Sequence, residues 1–375
     1  MNRFFSCLFA LVCVSFWLSE TGTARADWPF YRGNALATAT VKTELSDKLT
    51  PCWEYALEKG WFEATPIIAE NRVFIGSSED RFLALDLETG KEIWKFENKD
   101  GFLASAVYVP KNATNPSSES ASVCVGDPNG VLYCLDAATG EKRWAFEAET
   151  IIDNSPNLWN GKLLFGSQDG HLYCVDAKTG ELVWKYETED QIRCFPTVME
   201  NTAFVAGCDG NLHVIDLEKG ESRNQIPLDA PTGSTPAVLK NYAYFGTEGN
   251  EFLAIDWKES KIHWRFPLKQ AVRGPAAVTE KHVVFGALDR TVYALNPEDG
   301  KQLWSFKTKG RIEGGPIIVG SKVYIGATDA NLYVLNLADG TLLQTIELSD
   351  QVLGSPAVSQ GKLVIGTGDG KLVCF

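Results

Sequence analysis

The chain has 375 residues, with 48 acidic and 35 basic side chains and a formal net charge of −13. A balance this acidic repels phosphate backbones and anionic lipid surfaces, so nucleic acid is excluded as an expected partner. The length exceeds what one ordinary hydrophobic core supports and suits a repetitive all-β architecture.

The chain opens with Arg3 before an almost wholly apolar run, residues 4–18, and then Ala24-Arg25-Ala26. This is the pattern of a secretory signal with an A-x-A cleavage site. The run is shorter than the roughly 20 residues a spanning helix needs, and no second run of that kind follows, so no transmembrane segment is expected. Residues 1–26 are therefore expected to be removed near Ala26, leaving an exported protein, periplasmic or extracellular and soluble. Cys13 follows Val12 inside the apolar run and Cys7 comes too early, so no lipid attachment site is expected. Residues 27–52 are expected to form an N-terminal extension, and 53–375 the repeat domain.

Self-comparison finds the phrase D-x-x-T-G-x-x-x-W at Asp86/Gly90/Trp94, Asp136/Gly140/Trp144 and Asp176/Gly180/Trp184. The anchor recurs at Asp216, Asp256, Asn296 and Asn336, 40 residues apart from Asp136 onward. A fixed period of this size marks a propeller or solenoid. The first interval is longer because of a polar stretch, Lys111 to Ser120, which reads as a surface loop. Four short apolar strands recur per period, as at 303–306, 316–319, 322–326 and 331–335, separated by pairs suited to tight hairpins. Four antiparallel strands in 40 residues make one propeller blade.

Inner strands begin near Thr65-Pro66, Ser105-Ala106, Ser155-Pro156, Phe195-Pro196, Thr235-Pro236, Pro275-Ala276, Gly315-Pro316 and Ser355-Pro356. The outer strands carry Trp53, Trp94, Trp144, Trp184, Asn224, Trp264, Trp304 and Gln344, so both counts give eight blades. The chain stops just before an eighth anchor would fall, and the segment around Trp53 is expected to supply the missing strand and close the ring. A large aromatic at one repeat position is expected to pack neighbouring blades together. The anchor Asp or Asn is expected to close an Asx-turn, with Gly supplying positive φ.

Beyond the leader lie seven cysteines: Cys52, Cys124, Cys134, Cys174, Cys194, Cys208 and Cys374. No C-x-x-C pair suggests zinc or a redox motif. Cys134, Cys174 and Cys374 share a repeat position otherwise held by Ala or Val, which predicts small buried side chains. Cys194 and Cys208 flank one hairpin, and their relative direction is left open. His171, His213, His263 and His282 form no ligand set, so no metal site is expected.

The phrase D-x-x-T-G-x-x-x-W, preceded by Leu132-Tyr133-Cys134-Leu135-Asp136, resembles the tryptophan-docking repeat of pyrroloquinoline-quinone (PQQ) type propellers. Trp28-Pro29-Phe30-Tyr31-Arg32-Gly33 is similar to the mature start of exported members. The resemblance covers residues 27–375 and implies an eight-bladed all-β propeller. It spans two functions: quinoprotein dehydrogenases, which use PQQ with calcium, and BamB-like subunits of outer-membrane protein assembly, which bind no cofactor. The dehydrogenases imply an adjacent Cys-Cys pair, calcium ligands and long inserted loops, and this sequence has neither the pair nor the loops. BamB-like members are typically lipoproteins, a feature absent here. The implied function is an exported, non-catalytic, monomeric scaffold for protein–protein interaction, with envelope or outer-membrane protein assembly as one such role. No cofactor and no catalytic residues are expected. The alternatives are a PQQ-dependent dehydrogenase or PQQ-binding protein, and a glycan- or small-molecule-binding sensor.

The repeats disagree in a pattern three residues before the inner-strand Pro position, where the blades read Glu63, Leu103, Asp153, Arg193, Gly233, Arg273, Glu313 and Leu353. These residues are expected to ring one mouth of the central channel. Neighbours of opposite sign, Asp153–Arg193 and Arg273–Glu313, would neutralise each other. Alternatively Arg193 and Arg273, flanking Gly233, present a cationic notch to an anionic ligand or an acidic segment of an envelope protein.

Overall fold

The computed structural model describes residues 28–111 and 120–375. The leader with its cleavage point, and most of the polar loop after Lys111, lie outside the described residues.

Within each period the inner strands are apolar on both faces and the outermost one alternates. In the first blade, Arg72–Gly76 and Arg81–Asp86 bury nearly every side chain, whereas Glu92–Glu97 buries Trp94 alone. A sheet apolar on both faces needs a neighbour on each face, while an outer strand can turn one face to water. Ring closure meets both requirements. Blades 1 to 7 span residues 67–97, 107–147, 157–187, 197–227, 237–267, 277–307 and 317–347, each an antiparallel meander. Blade 8 takes Ala357–Ser359, Lys362–Gly366 and Lys371–Cys374 from the C-terminal end and its outermost strand, Trp53–Ala56, from the other, with Trp53 opposite Cys374. The expected eight blades and the expected closure are both observed. No helix among the described residues is long and apolar enough to cross a membrane.

Blades are joined by the repeated tryptophan. The Asp86 carboxylate accepts the Glu88 and Thr89 N–H groups at 3.1 and 2.8 Å, the expected Asx-turn. At the equivalent turn of blade 2, Gly140 has φ 75° and lies flat on the Trp94 ring of blade 1; a Cβ there would meet the indole at 2.6 Å. The Trp94 indole N–H donates to the Ala137 carbonyl at 3.1 Å. Trp53, Trp144, Trp184, Trp264 and Trp304 repeat this donation to the next blade at 2.8–3.3 Å. Where the tryptophan is replaced, an amide does the joining. Asn224 donates to Ser260, and Gln344 exchanges two hydrogen bonds with the backbone of Leu49.

The N-terminal extension carries structure that no repeat motif announces. Innermost strands present unpaired backbone groups to the channel, an edge that must be covered. The N–H groups of Ile68, Tyr108, Val198, Val238, Val278 and Ile318, from six different blades, donate to the carbonyls of Trp28, Pro29, Ala35, Leu36, Thr38 and Ala39 at 2.8–2.9 Å. Thr40–Val41 then adds a parallel strand to Ile317–Val319, so blade 7 has five strands. The extension thus lines the inside of the ring.

Candidate functional site

The channel wall is stitched by small hydroxyls one residue before the inner-strand prolines. Thr65, Ser155, Thr235 and Ser355 accept backbone N–H bonds from Ser355, Ser105, Phe195 and Gly315 of the adjacent blades at 2.9–3.1 Å. These bonds tie neighbouring inner strands to one another just after the side chains three residues before the proline position. All eight predicted ring residues, Glu63, Leu103, Asp153, Arg193, Gly233, Arg273, Glu313 and Leu353, line one cavity of about 190 Å³.

Tyr31 of the extension lines the same cavity from within the channel, its ring 5.9 Å from Phe195. Beside it Arg32 is fully buried, donating to the Ala276 carbonyl at 3.4 Å and to the Pro316 carbonyl. Burial pulls the Arg32 guanidinium down to about 10, offset only by the neighbouring Tyr31. Neither residue was a predicted part of the mouth, because the extension belongs to no repeat.

The opposite-sign neighbours of the ring do not close into ion pairs. Asp153 accepts from the Gln168 amide at 2.6 Å, and burial raises its carboxyl above the ordinary range despite Gln168 and the charge of Arg193. Arg193 donates to Gln191 at 2.9 Å. Arg273 pairs with Glu248 at 2.9 Å, both side chains well exposed. Glu63 accepts a long bond from the Trp61 indole at 3.4 Å. Arg193 is therefore hydrogen-bonded to a neutral amide, and Arg273 to one solvent-screened carboxylate.

Both arginines and Gly233 line a second recess of about 430 Å³ with Cys208, Thr232 and Glu248. Here the structure brings together the predicted notch. Gln168, Cys208 and Glu248, which the sequence reading missed, occupy the hairpin tips between second and third strands. Their signal is a second variable repeat position, 15 residues after Asp153, Arg193 and Gly233. Between blades 6 and 7 a third recess of about 520 Å³ gathers Lys269, Arg290, Lys307, Lys309 and Arg311, with Asp289 as its one carboxylate. Five cations on so acidic a chain form a local field of opposite sign.

His213 bonds Asp209 at 2.8 Å and Tyr186 at 3.0 Å, His171 lies 3.2 Å from Asp169, and His263 lies 2.7 Å from the Glu298 carbonyl oxygen. Cys134, Cys174 and Cys374 are buried. Cys194 and Cys208 are free thiols. Among the described residues, no three His, Cys, Asp or Glu side chains converge as a metal ion would require.

A family profile described as "Outer membrane protein assembly factor BamB" matches residues 103–239 and 209–375. The chain belongs to this PQQ-like, BamB-type β-propeller family. A second profile, "Glucose/ethanol/alcohol dehydrogenase, beta-propeller domain", matches residues 36–158. The BamB-type chain is 28% identical over 154 residues to the quinohemoprotein alcohol dehydrogenase of Comamonas testosteroni, covering 38% of this chain and 21% of that one. It is 26% identical over 108 residues to the outer membrane protein assembly factor BamB of Xanthomonas campestris pv. campestris, covering 28% and 27%. The matched part thus spans about a quarter or less of those relatives' length. In three dimensions the chain is similar to BamB from Moraxella catarrhalis, with a TM-score of 0.70 at 18% identity over 87% of this chain and 96% of that one, a likeness of fold.

Proposed function

We propose that this BamB-type propeller is an exported, non-catalytic scaffold whose channel-mouth face holds an acidic segment of an envelope protein. The observation that carries the proposal is the shared recess of Arg193, Gly233 and Arg273. Arg193 is bonded there to a neutral amide, and the exposed Arg273–Glu248 pair is of the kind worth less than about 1 kcal/mol, so an incoming carboxylate displaces Glu248 at little cost. Gly233 leaves the space between the guanidinium groups open, and each offers a planar fork that matches a carboxylate. The neighbouring cationic recess steers an acidic chain towards the mouth. Export rests on the leader pattern of residues 1–26.

The test uses a fluorescent oligo-glutamate peptide as probe. The full-length mature protein should bind it with an affinity that falls as salt rises. Exchanging both arginines, Arg193→Glu with Arg273→Glu, should weaken binding at least tenfold with an unchanged melting temperature. A well-folded double variant that binds as tightly as the parent would remove the notch from consideration.

The match of residues 36–158 to a dehydrogenase propeller profile favours a second reading, PQQ binding. The residues here do not fit that group. The chain has no adjacent cysteines, and the channel cavity of about 190 Å³ lies below the roughly 300–1,000 Å³ of cofactor-sized pockets. Dye reduction with ethanol or glucose, in the presence of added PQQ and calcium, is expected to show no PQQ-dependent turnover. Turnover that vanished when PQQ was omitted would replace the scaffold reading with the dehydrogenase one.

A further inference from the structure

The two ends of the propeller meet at a pair of thiols. The Cys52 N–H donates to the Cys374 carbonyl at 2.7 Å, extending by one residue the ladder in which Trp53 faces Cys374. The two sulfurs lie 3.1 Å apart. Cys52 is exposed, whereas Cys374 is buried behind it. Cys124 and Cys134 also face each other across a strand pair, but both are sealed from solvent.

We propose that Cys52 and Cys374 are a disulfide site, and that its oxidation clasps the propeller ring covalently across the junction between its first and last strands. The sulfurs must approach by only about 1 Å to reach a bond of ~2.05 Å, within the reach of side-chain rotation. The backbone pairing on which they sit already holds the two chains in register. Lys362, held by Glu88 at 3.3 Å, carries a positive charge felt by both sulfurs. At Cys374 that charge partly offsets the burial that pushes the thiol up.

The exposed partner reacts first. The Cys52 thiolate attacks one sulfur of an exchanging disulfide, such as oxidised glutathione, forming a mixed disulfide and expelling one glutathione thiolate. Cys374 passes its proton to the expelled thiolate and attacks the Cys52 sulfur, expelling the second glutathione. Two protein thiols become one disulfide, and one small disulfide becomes two thiols. The bond links residues 322 positions apart, so it removes conformational freedom from nearly the whole unfolded chain.

The experiment equilibrates full-length mature protein with oxidised glutathione, blocks remaining thiols and maps tryptic peptides. The expected result is a linked pair of peptides 49–59 and 372–375, with the other five cysteines blocked as free thiols. The melting temperature should rise by on the order of 5 °C on oxidation. Cys52→Ser, at an exposed position and with the backbone pairing kept, should abolish the rise, and Cys208→Ser should leave it in place. Recovery of Cys52 as a glutathione adduct beside a blocked Cys374, or linkage of Cys124 to Cys134 instead, would overturn the assignment. So would a rise that persisted in Cys52→Ser. None of these outcomes depends on the channel mouth or its partner.

Discussion

Removing residues 370–375 is expected to leave a chain that does not form a stable ring. The deletion takes away Lys371–Cys374, the strand between Lys362–Gly366 and Trp53–Ala56 in blade 8. It also removes Phe375, whose N–H and carbonyl both bond Leu363 at 2.8–3.0 Å. Leu372, Val373 and Phe375 are buried, and at roughly 1.5–3 kcal/mol per side chain their loss costs about 5–9 kcal/mol. A folded domain has only about 5–15 kcal/mol in total. Two further consequences follow from topology. Trp53–Ala56 loses the strand it pairs with, and Lys362–Gly366 becomes an open edge able to pair with other chains. Thermal melting followed by circular dichroism, with size-exclusion chromatography, should show aggregated protein or a midpoint lowered by roughly 7–12 °C. A monomeric truncated chain that melted with the full-length protein would mean that the ring is not closed by these strands.

That deletion tests the part of the fold most legible in the sequence. The 40-residue period was readable because each blade solves the same packing problem with the same residue types. A side chain must close the turn, as Asp86 does; the backbone must take positive φ against an indole, as Gly140 does; and a large ring must dock on the next blade, as Trp94 does. Each requirement selects a residue type, so each leaves a letter in the sequence. Even the exceptions follow this rule, since Asn224 and Gln344 replace the ring with an amide that still reaches the neighbouring segment. The place of the extension inside the ring was not legible, for the opposite reason. Its carbonyls at Trp28, Pro29, Ala35, Leu36, Thr38 and Ala39 cap six inner strands, and a backbone carbonyl is supplied by any residue.

The channel mouth was legible in position but not in its pairings. Equivalent positions of a period fall at equivalent places around the axis, which is why all eight variable residues line one cavity. The pairing of their charges obeys a different neighbourhood. Arg273 reaches Glu248 on the hairpin tip of the preceding blade, not Glu313 on its own ring, and Asp153 reaches Gln168 within its own blade. Those contacts run between two different repeat positions, 15 residues apart within one period, and the period alone does not say which members of the two positions meet.

The contribution of the extension can be measured at its largest fully buried side chain. Trp28→Ala is expected to destabilise the protein by about 3–5 kcal/mol, the usual range for emptying a fully buried large aromatic site. Trp28 holds the start of the extension in two ways. Its backbone exchanges two 2.8 Å hydrogen bonds with Ile68, and its ring lies against Gly33, where a Cβ would stand 2.9 Å from the indole. The substitution keeps the backbone bonds and removes the ring, so the turn around Gly33 loses the surface on which it rests. For a chain of this length the melting temperature should fall by roughly 4–7 °C. Local loosening has its own readout, because Arg32 lies one turn away and is fully buried in the intact ring. Trypsin should cut after Arg32 in the variant at temperatures where the parent protein is resistant there. If the variant melted with the parent and Arg32 stayed protected, the extension would owe its place to the backbone bonds alone, and the indole would have no part in seating it.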